Sequence, residues 1–224
     1  MINKVIIFFL ICIFFNSCKQ KKEVVIKDDI YNLFNLNHYK IYTQKKINDS
    51  IYQYEGKNDR FLIKGRYNYI KKYKTGWWYS YDRQIDEKYV DIEFYKDLHN
   101  SKESFNQILL YKKNKIDTMK SKFYTKEYIN KKILIYNFYC PISSDDVYSA
   151  QINIGIISNE KPLLYPTIFN CKRIKNGRYI YSLDISKYQE GKTFNMIGSF
   201  SEYSKKENAL GINQIILDDT LNVN

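Results

Sequence analysis

The side chains able to do chemistry in this chain are few and scattered. Two histidines, His38 and His99, stand among polar residues, and carboxylates come as adjacent pairs at Asp28-Asp29, Asp145-Asp146 and Asp218-Asp219. General acid–base work needs two carboxyls converging across a cleft with their pKa values pushed apart. Neighbours along a strand point to opposite faces instead, so these pairs read as loop or tether carboxylates. The stretch around Asp145-Asp146 lacks the ordered oxygen spacing of a calcium loop. No Cys-x-x-Cys or His-x-x-x-His pattern supports a metal site. Neither a Gly-x-Ser-x-Gly elbow nor a Gly-rich phosphate loop occurs. The sequence therefore predicts a protein that is not an enzyme and has no metal or cofactor; a hydrolase site assembled from distant residues is the alternative.

The four cysteines fall into two groups. Cys12 lies in the apolar run Val5–Phe15, which follows the basic start Met1–Lys4. A membrane-spanning helix needs about 20 apolar residues; this run is shorter and fits a secretory signal peptide. The segment Phe15-Asn16-Ser17-Cys18 resembles the lipobox of bacterial lipoproteins, with Ser17 as the small residue before the lipidated cysteine. The resemblance implies that residues 1–17 are removed and that Cys18 becomes the N-terminus. Cys18 then carries a thioether-linked diacylglycerol and an N-acyl chain, and more than one chain gives stable anchoring. Lys19 follows, so the acidic residue that retains some lipoproteins in the inner membrane is missing. The outer membrane is the predicted location, on either face, with residues 18–30 as tether. Ordinary signal-peptide cleavage is the alternative. The remaining pair, Cys140 and Cys171, can form a single disulfide in an exported protein, or both can be small buried thiols.

The richest local pattern is aromatic. Lys74–Asp82, KTGWWYSYD, resembles a MORN-like repeat, a β-hairpin unit in which glycine is followed by tryptophan and then tyrosine; Gly76, Trp78 and Tyr81 occupy those positions. Two readings follow. Trp77 and Trp78 straddle a strand, one packed inward and one half exposed, as alternation requires. Or Trp77, Trp78, Tyr79 and Tyr81 form an aromatic platform for a sugar or a partner chain, since exposed indole offers apolar area with a polar handle.

These residues must be positioned by strands. The chain is rich in tyrosine (23) and phenylalanine (13) and has only three prolines, and period-two alternation marks β-structure. In AQINIGI, Ile152, Ile154 and Ile156 fall on one face and Gln151, Asn153 and Gly155 on the other. SFNQILLY and KIDTMKSKFY flank a polar turn and predict a hairpin. Further strands are predicted near 61–70, 76–82, 90–95 and 133–140, with one short helix near 125–132. The fold class is all-β: an antiparallel meander over 31–130 followed by a sandwich-like domain over 131–224. In the latter, Tyr188 at the polar corner Asp184–Gly191 resembles the tyrosine corner of immunoglobulin-like sandwiches.

Composition adds little about partners. The formal charge of +12 would suit a polyanion, but the bias toward Lys, Asn, Ile and Tyr follows AT-rich codons, and export disfavours nucleic acid. The triplets at Asp49-Ser50-Ile51, Asp117-Thr118-Met119 and Asp219-Thr220-Leu221 resemble an O-glycosylation acceptor of exported proteins and make Ser50, Thr118 and Thr220 candidate sites. The functional expectation is a lipid-anchored envelope lipoprotein that binds a protein or glycan, or plays a structural part, without catalysis. An immunity or antitoxin-like protein is the alternative, because MORN-like units also occur in such partners.

Overall fold

The structure, a computed structural model, describes residues 26–96, 103–129, 132–142, 146–158, 161–188, 191–206 and 209–223. Cys18, the signal segment and His99 lie outside the described residues. The chain divides into two units, residues 1–38 and 39–224. The described part of the first is a helix, α1 (Ile26–Leu33), and a 3₁₀ turn at Leu36–His38. No described helix is long and apolar enough to cross a membrane.

The second unit is all-β, as the aromatic and β-branched alternation predicts. Its first part is an antiparallel meander in which each strand pairs with the next: β1 (Lys40–Lys46), β2 (Ile51–Lys57), β3 (Phe61–Asn68), β4 (Tyr73–Asp82), β5 (Glu87–Lys96), β6 (Glu103–Lys112) and the two-residue β7 (Lys115–Ile116). One face of the sheet carries Tyr54, Ile63, Trp78, Val90, Ile92 and Phe94, all buried. The hairpin predicted after β6 is cut short. Lys113 and Asn114 both take positive φ (52° and 58°) at the turn, the requirement of a type I′ hairpin. The return strand then ends at Asp117, whose side chain caps Met119 N–H (3.2 Å) and whose carbonyl accepts from Ser121 N–H (3.0 Å).

Two four-stranded antiparallel sheets follow. One has the order β12–β13–β9–β8 and the other β11–β10–β14–β15. Their ranges are β8 (Phe123–Ile129), β9 (Ile133–Tyr139), β10 (Asp146–Ser158), β11 (Lys161–Asn170), β12 (Lys172–Arg173), β13 (Arg178–Asp184), β14 (Thr193–Lys206) and β15 (Ala209–Asn222). The chain changes sheet after β9, β11 and β13. Between the sheets lie Leu134, Tyr136 and Phe138 from β9, Ile152, Ile154 and Ile156 from β10, Tyr179 from β13 and Phe200 from β14. Phe138 and Phe200 stack with centroids 4.3 Å apart. Where the sequence predicts a helix near 125–132, the described residues 123–129 form β8. This strand sits at a sheet edge with most side chains exposed, so it lacks the apolar alternation that marks a strand.

Meander and sandwich are joined through the edge of β15. The Asn106 amide imitates a strand there: Nδ2 donates to Ile216 O (3.0 Å) and Oδ1 accepts from Ile216 N–H (2.6 Å). Lys122 donates to Gln214 O (2.9 Å), and Lys126 pairs with Asp219 (2.9 Å). Unpaired edge backbone would otherwise invite strand addition; here side chains of β6, of Lys122 and of Lys126 in β8 occupy it. At the expected tyrosine corner, Tyr188 is buried against Phe194. Its phenol oxygen has no hydrogen-bond partner among the described residues.

Candidate functional site

Trp77 and Trp78 diverge at a bulge. Lys64 pairs with Tyr79 and Arg66 with Thr75, so the single residue Gly65 faces three on β4. The Trp78 ring lies flat on Gly65, where a Cβ would stand 2.1 Å from the indole. Its Nε1–H donates to Arg66 O (2.9 Å), and the residue is fully buried. Gly76 takes φ +63° with open space beside it, so the backbone conformation, not crowding, asks for glycine there. The chain leaves the bulge with Trp77 half-buried on the opposite face. Tyr79 and Tyr81 share that face and are 37% and 39% exposed. Of the four predicted platform residues, three are gathered on one outer surface and Trp78 is withdrawn into the sheet's apolar face.

The outer surface is concave at the bulge. A cleft of about 260 Å³ is lined by Gln53, Lys64, Gly65, Arg66, Gly76, Trp77 and Tyr79. Lys64 pairs with Glu55 (2.7 Å), and this bond lowers the Glu55 carboxyl pKa and raises that of Lys64. Arg66 is exposed and makes no ion pair among the described residues. Beyond Tyr79 the same face becomes a polar cluster. Tyr111 donates to Asp91 Oδ2 (2.6 Å) and Lys88 pairs with the same oxygen (3.2 Å). The Lys88 ammonium lies over the Tyr111 ring at 4.9 Å and the Tyr79 ring at 5.8 Å. Burial first, then the bond to Asp91, pushes the Tyr111 phenol up to about 12. An aromatic floor with flanking cations and bare backbone at Gly76 can stack a planar or sugar ring and hydrogen-bond its substituents.

The other predicted residues are dispersed. Cys140 and Cys171 are both free thiols, Cys140 buried and Cys171 half-buried. Burial, then the neighbouring Glu202 carboxylate, raises the Cys140 thiol pKa; burial pushes Cys171 up to about 12. His38 is exposed, with Nδ1 3.2 Å from Asn32 O. Asp218 is exposed and Asp219 binds Lys126, the two pointing to opposite faces of β15. Ser50 lies in the β1–β2 turn and Thr118 in the turn after β7, whereas Thr220 is exposed within β15 opposite Asn195. Lys64, Arg66 and Gln53 were not singled out from sequence, although they alternate on β2 and β3 in register with the aromatic row. Comparison with known proteins finds no matching family model, no matching curated protein and no matching solved structure.

Proposed function

We propose that this chain is a lipid-anchored binding module of the cell envelope, held at the outer membrane through Cys18 and using the outer face of the meander for recognition. The observation that carries the binding role is the Trp77–Tyr79 cleft. An indole and a phenol line one wall, Lys64 and Arg66 the other, and both stand on the face away from the packed side of the sheet. Such a surface suits a glycan or an extended segment of a partner protein, and neither requires a catalytic group. The anchor rests on the lipobox resemblance alone. The MORN-like reading of the meander likewise rests on Gly76, Trp78 and Tyr81 in the sequence. The two sandwich sheets have the strand order of an immunoglobulin-like sandwich with one added strand, β11, which supports that reading for the strands β8 to β15.

Two measurements test this. The intact mass of the protein extracted from its own cells begins at Cys18 with acyl chains and loses them in Cys18→Ala. An unacylated, freely soluble mature chain overturns the anchor. Separately, immobilised envelope glycans and envelope extracts retain the protein, and Trp77→Ala weakens retention at least tenfold without altering stability. Equal retention by Trp77→Ala removes the cleft from the recognition surface. The same retention experiment addresses the immunity-like alternative, for which the captured partner is a single toxin protein and not a glycan.

A further inference from the structure

A second concavity lies in the sandwich and has no part in the surface above. It is a cleft of about 210 Å³ lined by Pro141, Ile142, Val147, Arg173, Asn176, Gly177 and Glu202. Glu202 is only 4% exposed. Its Oε2 accepts from the Tyr179 hydroxyl and its Oε1 from Asn213 Nδ2 (2.8 Å), with the Cys140 thiol beside it. All three neighbours are neutral donors, and no lysine or arginine pairs with Glu202 among the described residues. Lys122, the cation whose field reaches Cys140, donates to Gln214 O (2.9 Å). A buried carboxylate without a counter-cation is costly, and ionised carboxylates have acceptor capacity beyond two hydrogen bonds.

The charge of opposite sign stands across the cleft. Arg173 is the cross-strand partner of Tyr179, so its side chain shares the face from which Tyr179 reaches Glu202. It is exposed and makes no ion pair among the described residues. Its planar guanidinium matches a carboxylate through two parallel bonds. The turn that carries it is fixed: Gly177 O accepts from Cys140 N–H (2.9 Å), and a Cβ at Gly177 would stand 2.4 Å from Cys140 O. An ion of either sign alone would be attracted by one of the two residues and repelled by the other. We propose that this cleft binds a small zwitterion, its ammonium on Glu202, its carboxylate on Arg173 and its short aliphatic part on Pro141, Ile142 and Val147. The volume is several times that of one water, about 30 Å³, and below the roughly 300 Å³ at which drug-sized sites begin. An α-amino acid is the ligand class of that size and charge.

Saturation-transfer NMR of the full-length chain with L-alanine tests the assignment, with ethylammonium and propionate as its singly charged halves. The expected result is saturable binding of L-alanine, at least tenfold weaker binding of either half, and a loss of at least tenfold in Arg173→Met. Arg173 is an exposed edge residue, so that variant keeps its fold; Arg173→Lys recovers part of the affinity. Glu202→Gln is expected to abolish binding, but this variant also disturbs buried hydrogen bonds, so Arg173→Met is the deciding one. No saturation at millimolar L-alanine overturns the proposal. So does ethylammonium binding as tightly as L-alanine, or affinity unchanged in Arg173→Met.

Discussion

The two concavities are built in opposite ways. The meander cleft lies on the open face of a single sheet, where each strand offers every second side chain to solvent. Its residues come from three neighbouring strands, β2, β3 and β4, and its charges face water. The sandwich cleft lies at one end of two packed sheets, and its residues come from the end of β9, the start of β10, the β12–β13 turn and β14. Its carboxylate, Glu202, is buried, and the cation Arg173 is exposed at the rim. A single sheet thus builds a surface by alternation, which tolerates change at individual positions. A sandwich builds a cleft from strand ends, which ties any site there to the fold's stability. The two adjacent tryptophans give the largest test of this contrast. Trp78→Ala removes a fully buried ring and leaves Arg66 O without its donor, and it is expected to cost about 3–5 kcal/mol in urea denaturation. Trp77→Ala, on the open face, is expected to stay within about 1 kcal/mol. Equal losses would mean that both faces of the meander are structural.

The next effect concerns how the two parts are joined. Asn106→Leu leaves the Ile216 N–H and C=O at the β15 edge without their partner and removes a donor from Glu93, which Asn106 Nδ2 also reaches at 2.7 Å. Orphaned buried polar groups cost about 1–3 kcal/mol each, so a loss of about 2–4 kcal/mol is expected. Tryptophan fluorescence reports the meander, which holds both tryptophans, and far-ultraviolet circular dichroism reports the whole. The two unfolding curves coincide in the parent chain and separate in Asn106→Leu. Coincident curves in the variant, with a loss under about 1 kcal/mol, would show that the other ties, such as Lys126 to Asp219, are sufficient.

Much of the strand pattern was legible because the governing period is local. Ile152, Ile154 and Ile156 alternate within seven residues and do lie in the core, and the aromatic run 77–81 does alternate between faces. Legibility failed where a tertiary partner replaced the local signal. Thr125, Lys126 and Glu127 interrupt the apolar alternation of residues 123–129 because that strand is a sheet edge with most side chains exposed, not because it forms a helix. The direction in which each tryptophan points follows from the bulge opposite Gly65, a pairing fact that the sequence of β4 alone does not carry. Glu202 stood unmarked between two serine-rich stretches; its chemistry arises from Tyr179, Asn213 and Arg173, which only the folded sheets bring near. Residues that line a cleft through strand ends share no spacing to be read.

A smaller effect probes the polar cluster beside the meander cleft. The Tyr111 phenol, pushed up to about 12 from an ordinary value near 10, donates to Asp91 while neutral. A group whose folded pKa is raised contributes stability that is complete below the unfolded value and is lost as pH rises through the folded one. Tyr111→Phe is expected to cost about 1–2 kcal/mol at pH 7, a difference that shrinks between pH 10 and about 12. Denaturation at a series of alkaline pH values measures it. A difference independent of pH would assign the cost to packing and not to the hydrogen bond.

The smallest effect sharpens the comparison most, because it asks whether the charges of the open face are as exposed as the geometry makes them. Lys64 lowers the Glu55 carboxyl pKa chiefly through their hydrogen bond. The Lys64 and Glu55 side chains are 48% and 22% exposed, so solvent screening limits the pair to well under about 1 kcal/mol. A carboxyl with a lowered folded pKa contributes stability above its unfolded value and loses it as pH falls through the folded one. Glu55→Gln is therefore expected to cost under about 0.5 kcal/mol at pH 7, nothing once the pH is below the lowered folded value, and little in high salt. The same substitution frees Lys64 beside Arg66, so it should strengthen retention of an acidic glycan while leaving a neutral one unchanged. If Glu55→Gln instead destabilised the protein by more than about 1.5 kcal/mol, the pair would be behaving as a buried one. The open face would then resemble the sandwich cleft, where charge and fold are inseparable.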